Sequence, residues 1–249
     1  MPLYTVAGFD CGRRFTDLLK DRLRKNRVPA AAEAEGEHGV SYLVKKADLP
    51  VFSKALSDLL TLDLRCFETA RLVSLLPLDI RDRRLVLPRA LALSFEEKPF
   101  DASRRIEEYL CENSLFIAEG FLRFRLPEVM EAWAAAVDRA GEELLLGREY
   151  ASLMQLLAAV AEAETGTGCS RSVRLILHAD GSATVSDPVS CRIESAGADG
   201  AGIMGILIGL APDEIEVYDL TGGAHAGLLE AIRRVFGKRA RIFVSNNCR

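Results

Sequence analysis

The chain has 249 residues, of which 49% are hydrophobic and 27% charged, with a formal net charge of −4 at neutral pH. That composition reads as a folded, water-soluble chain able to bury a core without staples, neither disordered nor membrane-like. The slightly acidic balance argues against a surface that is basic throughout, as a general nucleic-acid binder would carry, and leaves only local basic patches to weigh.

At the N-terminus, "LYTVAG" suits a strand, and "FTDLLKDRLRKN" repeats Phe15, Leu18, Leu19 and Leu23 at helical spacing. "VSYLVKK" suits a second strand. "VPAAAEAEGEHG", between the helix and that strand, reads as a patternless mobile loop. From Leu49 the pattern turns helical, with Leu56, Leu59, Leu60, Leu64 and Phe67 on one side. Pro77 and Pro88 then flank "LDIRDRRLVLP", which reads as a charged connection.

The next stretch, "DASRRIEEYLCENSLFIAEGF", is predicted as a helix opened by Asp101, with Ile106, Leu110, Ile117, Phe121 and Phe124 along one stripe. At about 100° per residue, Arg123 then points to solvent, four residues from Glu119. Arg125 sits at the edge of the apolar face, where Glu128 or Glu149 would supply a partner. Pro127 must either kink this helix or start a new one, and sequence leaves both open. Beyond it Met130, Trp133, Val137, Ala140 and Leu144 form a second stripe, and "REYASLMQLLAAVAEAE" one more helix.

The loop "TGTGCS" marks a change of composition, after which strands alternate with helices. "RSVRLILH" and "ATVSDP" around Asp180-Gly181 predict a hairpin, because such turns need positive φ. "GAGIMGILIGLAP" reads as a small-residue helix, "EIEVYDL" as a strand, "HAGLLEAIRRVFG" as a helix stopped by Gly237, and "RARIFVS" as a last strand. Strand, helix and strand with short connections imply a right-handed crossover and a parallel pair.

The expected fold is therefore α+β: an N-terminal α/β and helical segment over 1–100, a central helical region over 101–165, and a C-terminal subdomain over 166–249. That last part is a small mixed sheet with two helices, built from a hairpin and a β-α-β unit.

Two blocks resemble the YtxC-like family of sporulation proteins. The first is "AEGFLRFRLPEVMEAWAAAVDRAGEELLLGREYASLMQLL", with Glu119, Gly120, Phe121, Phe124, Arg125 and Leu126 at its heart and Glu149-Tyr150 further on. The second is "GILIGLAPDEIEVYDL" followed by "IRRVFGKRARIFV". The resemblance implies a role in endospore-forming bacteria and carries over no reaction, ligand or catalytic residue. The motif residues themselves read as packing positions.

Candidate sites are sparse. In "VYDLTGGAHAGLLEA", Asp219 ends a strand and Thr221, Gly222 and Gly223 form a turn whose amides open a helix, a geometry that can hold a phosphate or another anion. No P-loop lysine and no dinucleotide-binding glycine pattern accompanies it. The helix "CGRRFTDLLKDRLRKNR" offers Arg13, Arg14, Arg22 and Arg24 as a polyanion face, against the alternative of an ordinary solvated surface. His38, His178 and His225 are too scattered to suggest a metal.

Cys11, Cys66, Cys111, Cys169, Cys191 and Cys248 lack C-x-x-C spacing and read as reduced, buried thiols. Cys191 and His178 lie across the predicted hairpin, but no motif supports a nucleophilic pair. "MPLYTVAGFD" shows neither the basic lead nor the apolar run of a signal peptide, and "AGIMGILIGLAP" is too short to span a bilayer. The expectation is a cytoplasmic protein, more plausibly non-catalytic than an enzyme, that works through a protein partner without cofactor, metal or membrane. A small nucleotide- or phosphate-handling enzyme centred on Asp219, Thr221, Gly222 and Gly223 is the first alternative, and a nucleic-acid binder through the basic helix, less favoured, is the second.

Overall fold

The computed structural model describes residues 2–8, 13–36, 39–96, 100–163, 172–187, 192–196 and 199–244. These form an α+β fold in two compact units, Met1–Leu145 and Leu146–Arg249.

In the first unit, β1 (Leu3–Ala7) pairs antiparallel with β3 (Gly39–Leu43). Their alternating burial sets Tyr4, Val6, Val40 and Tyr42 inward. The two backbones close tightly at one end, where a Cβ on Gly39 would lie 2.6 Å from the Val6 carbonyl oxygen. Between them in sequence, α1 (Arg13–Lys25) packs Phe15, Leu19 and Leu23 into the core. The presumed loop after α1 is instead β2 (Ala31–Gly36), paired antiparallel with β3 through a bulge between Ala32 and Ala34. Its Ala/Glu/Gly composition has weak strand propensity, so pairing to β3 decides its conformation. His38 lies outside the described residues.

After a 3-10 turn (Lys46–Asp48) come α2 (Leu49–Asp58), a π-helical turn (Leu59–Asp63) and α3 (Leu64–Leu75). Leu56, Leu59, Leu60 and Leu64 are fully buried as expected, whereas Phe67 is exposed. The π turn adds a residue to the helical register and rotates everything beyond it, so the sequence stripe does not run through to Phe67.

The charged "connection" is also a helix, α4 (Ile80–Glu96), which continues through Pro88. Proline sacrifices one amide bond there, while Val86, Ala90 and Leu93 seal against Val73 of α3.

The predicted single helix over 101–125 divides into three elements. They are α5 (Ser103–Glu112), β4 (Leu115–Ile117) and α6 (Ala118–Arg125). Asn113 ends α5 with its side chain on the Tyr109 carbonyl at 2.9 Å, and β4 adds in parallel to β1, giving the order β2-β3-β1-β4. The Ala102 amide donates to Ser57 Oγ at 2.9 Å and docks the start of α5 on α2. Tyr109, Phe116 and Phe121 then pack ring against ring, with centroids 4.9–6.1 Å apart.

Pro127 resolves as a restart. Leu126 has φ −130 and ψ 50, outside helical geometry, and α7 (Pro127–Ala163) begins on the proline. The stripe and the further helix expected beyond it are one continuous element of 37 residues. In the first unit α7 buries Val129 and Trp133 against the sheet core, and Ala136, Val137 and Ala140 against α3 and α4.

The second unit holds a five-stranded mixed sheet. The strands are β5 (Ser172–Leu177), β6 (Ala183–Asp187), β7 (Arg192–Ala196), β8 (Glu214–Asp219) and β9 (Ala240–Val244), in the order β7-β6-β5-β8-β9. The β5-β6 hairpin turns through Asp180-Gly181, with Gly181 at φ 86 and Ser182 accepting from the His178 amide at 2.8 Å. β5, β8 and β9 run parallel, and α8 (Gly200–Leu210) and α9 (Ala226–Phe236) supply Ile203, Leu207, Leu229, Ile232, Val235 and Phe236 to one core with the sheet. The last turns of α7 belong to that core through Met154 and Ala161.

Candidate functional site

The buried row of β8 is Ile215, Val217 and Asp219, so strand alternation carries a carboxylate onto the core face at the carboxyl end of the parallel strands. Asp219 is fully buried. The chain then turns through Gly222 and Gly223, both at positive φ, and enters α9. This turn wraps the carboxylate. Thr221 gives Oδ1 both its amide, at 2.9 Å, and its hydroxyl, at 2.5 Å, while Gly223 gives Oδ2 its amide at 3.1 Å. The Thr221 hydroxyl in turn accepts from the Ala224 amide at 3.2 Å.

Burial pushes the Asp219 carboxyl up. The Thr221 hydroxyl, the two backbone amides and nearby His225 outweigh it, and the net effect is a carboxyl held below its ordinary range. The four residues predicted for anion binding are thus together, and the anion that the amides of Thr221 and Gly223 address is the chain's own carboxylate.

The basic helix is engaged differently. Arg22 is mostly buried and forks onto Asp63, with Nε and Nη2 at 2.5 and 2.8 Å, which removes it from any free polyanion face. Lys20 reaches Glu35, and Arg24 is exposed beside Asp21 at 3.2 Å. The side chains of Arg13 and Arg14 lie outside what the structure describes.

In the EGFLRFRL motif, Phe121, Leu122 and Leu126 are buried, and Arg123 pairs with Glu119 at 2.8 Å as the spacing predicted. Phe124 is 82% exposed, and Ile117, on a strand rather than the helix, is exposed too. Breaking the helix at Ile117 moves the apolar face by a residue, so Leu122 takes the core position assigned to Phe124. Arg125 is exposed as well, 5.9 Å above the Tyr109 ring, and Glu128 serves Arg105 instead. Glu149 and Tyr150 are exposed, with Arg234 over the tyrosine ring.

His178 bonds Thr184 through Nε2 at 2.9 Å, and His225 precedes α9. Among the described residues no group of His, Cys, Asp and Glu is placed to hold a metal. Cys66 and Cys111 are free and exposed rather than buried, and the other four cysteines lie outside the described residues.

The largest feature the sequence stripe did not bring out is on α7. Within the second unit, Met154 and Ala161 face the core while Leu146, Leu153 and Val160 recur every seventh residue on an exposed side, at 64, 50 and 46% exposure, flanked by Leu156 at 66%. By length and composition α7 is also apolar enough to cross a membrane, with an 18-residue window of mean hydropathy 1.2 that is 11% buried. The signal was present as the seven-residue recurrence, obscured by Gly147, Arg148 and Glu149.

The fold is that of an α+β protein of two units. The YtxC-like family profile matches residues 94–241, more than half of the chain, and the chain belongs to that family. No curated protein and no solved structure matches it.

Proposed function

We propose that this chain is a non-catalytic, cytoplasmic interaction protein of sporulation that binds a protein partner through the exposed apolar side of α7. The observation that carries the reading is the row Leu146, Leu153, Leu156 and Val160. Leaving such a row in water forgoes about 25 cal/mol for each Å² that a partner would cover, and a seven-residue recurrence suits an apolar helix laid alongside. A lipid bilayer is the less favoured occupant, because Met154 and Ala161 on the same helix are committed to the sheet core. Exposed free thiols at Cys66 and Cys111 support a reducing compartment, and the family supports the link to sporulation.

The test compares proteins retained by the full chain and by its Leu153→Glu/Leu156→Glu variant from cells entering sporulation. Retention of one protein by the parent and its loss from a folded variant supports the reading. Equal recovery by both chains, or recovery of nothing specific, overturns it.

A further inference from the structure

The edge of a β-sheet is an open row of backbone donors and acceptors, and folded chains blunt it with bulges, charges or very short strands. Among the described residues the two sheets end on β2, β4, β7 and β9. β2 is bulged between Ala32 and Ala34 and carries Glu33 and Glu35, β4 is three residues long, and β7 carries Arg192 and Glu194. β9 differs. It runs five residues, Ala-Arg-Ile-Phe-Val, in unbroken register with β8, and no described strand lies on its outer side. Phe243 and Val244 are both 46% exposed there, and its one charge, Arg241, is neutralised by Glu214 at 3.0 Å.

The sheet face turned away from the core supplies a second observation. Ile215, Val217 and Asp219 point inward, so Glu216 and Tyr218 point outward, and the register sets Arg241 beside Glu216 and Phe243 beside Tyr218. The Tyr218 and Phe243 rings stack with centroids 5.1 Å apart and 18° between their planes, while the Arg174 guanidinium lies 5.8 Å from the Tyr218 ring on the β5 side. This ladder of Arg174, Tyr218 and Phe243 crosses three strands and stops at the sheet edge. Among the described residues nothing caps the outer side of the Phe243 ring.

We infer that β9 pairs antiparallel with β9 of a second copy of this chain, about a twofold axis at Ile242, joining two five-stranded sheets edge to edge. The strand's own sequence selects that occupant, because the pairing is self-complementary, as a twofold contact requires. Ile242 meets Ile242, Ala240 meets Val244, and Arg241 meets Phe243 of the other copy. Each arginine then lands beside the open ring and ends the ladder with a cation, a favourable partner for an aromatic face. No like charges stand opposite one another, and Glu214 leaves Arg241 without net charge to carry into the seam. The contact is small. A single strand edge buries under about 1,200 Å², the range of weak complexes, so the dimer forms with a Kd of about 1–100 µM. It is independent of the α7 surface.

Sedimentation of the full chain should give a monomer at about 1 µM and a dimer at about 500 µM, on either side of that range. Over the same interval the β9 amides should exchange with solvent severalfold more slowly, a larger change than in β5, which is paired on both sides. Phe243→Lys sets two lysines against two arginines across the seam and should raise the Kd by about tenfold or more. Leu153→Glu/Leu156→Glu, on α7, should dimerise like the parent. A parent chain still monomeric at about 500 µM overturns the inference, as does a dimer that Phe243→Lys leaves unchanged or that the α7 variant loses. A parent dimer whose β9 amides exchange as fast as the monomer's overturns it too, and that readout needs no variant.

Discussion

Replacing Asp219 by alanine is the sharpest probe of the second unit. In the folded chain this carboxylate accepts the Thr221 amide at 2.9 Å, the Thr221 hydroxyl at 2.5 Å and the Gly223 amide at 3.1 Å. Its loss lets the hydroxyl turn to water, but it leaves two backbone donors without their acceptor at a cost of about 1–3 kcal/mol each. The turn is partly wet and the cost of burying a charge disappears, so the net loss is set at roughly 2–3 kcal/mol.

Asp219→Asn keeps the volume and one acceptor but turns an NH₂ toward an amide, and should cost about half as much. Because the carboxyl is held below its ordinary range in the folded state, its stabilisation is complete above the unfolded carboxyl's pKa of about 3.9 and is lost as pH falls from there through the folded value. The gap between the parent and Asp219→Asn should therefore be widest near neutrality and close below about pH 4.

Two units need separate readouts. Hydrogen exchange of the β8 and β9 amides reports the second, while Trp133 emission reports the first and should not change. A stability of Asp219→Ala within about 0.5 kcal/mol of the parent, or a gap to Asp219→Asn that ignores pH, would refute the account of this turn. Stabilisation of the parent by phosphate would show instead that the turn amides take an external anion.

Other outcomes follow from the first unit. Phe121→Ala removes a ring packed on Tyr109 and Phe116 and should cost about 3–5 kcal/mol in urea unfolding, whereas Phe124→Ala, at an 82% exposed position, should stay within about 0.5 kcal/mol. Arg22→Ala strands Asp63 in a mostly buried fork and should cost about 1–3 kcal/mol, while Arg24→Ala should be silent in the same measurement. Among the described residues the Tyr42 hydroxyl is buried without a hydrogen-bond partner, and burial, with Glu35 nearby, pushes its pKa up to about 12. Tyr42→Phe should therefore leave stability unchanged or raise it by up to about 1 kcal/mol.

The contrast between Phe121 and Phe124 shows where sequence reading reached its limit. A helical wheel over 101–125 treats both as one face, and it fails because Leu115–Ile117 leaves the helix to pair with Thr5–Ala7, more than a hundred residues away in sequence. Asn113-Ser114 was the local sign of that break. The strand over Ala31–Gly36 was hidden for the same reason, its partner rather than its residues being decisive.

The second unit was far more legible. Asp180-Gly181 specifies its hairpin locally, and the alternation in EIEVYD marks both the buried face and the turn that Asp219 caps. What the sequence could not disclose was the direction of that turn's amides, which face inward.

The central claim, that α7 presents a protein-docking side, is tested most directly by a photo-crosslinking residue placed in cells entering sporulation at Leu153 or Leu156, and as a control at Gln155 on another side of the exposed helix surface. The account predicts one discrete protein adduct from positions 153 and 156 and none from 155. Equal labelling from all three positions, or adducts with lipid alone, would contradict it.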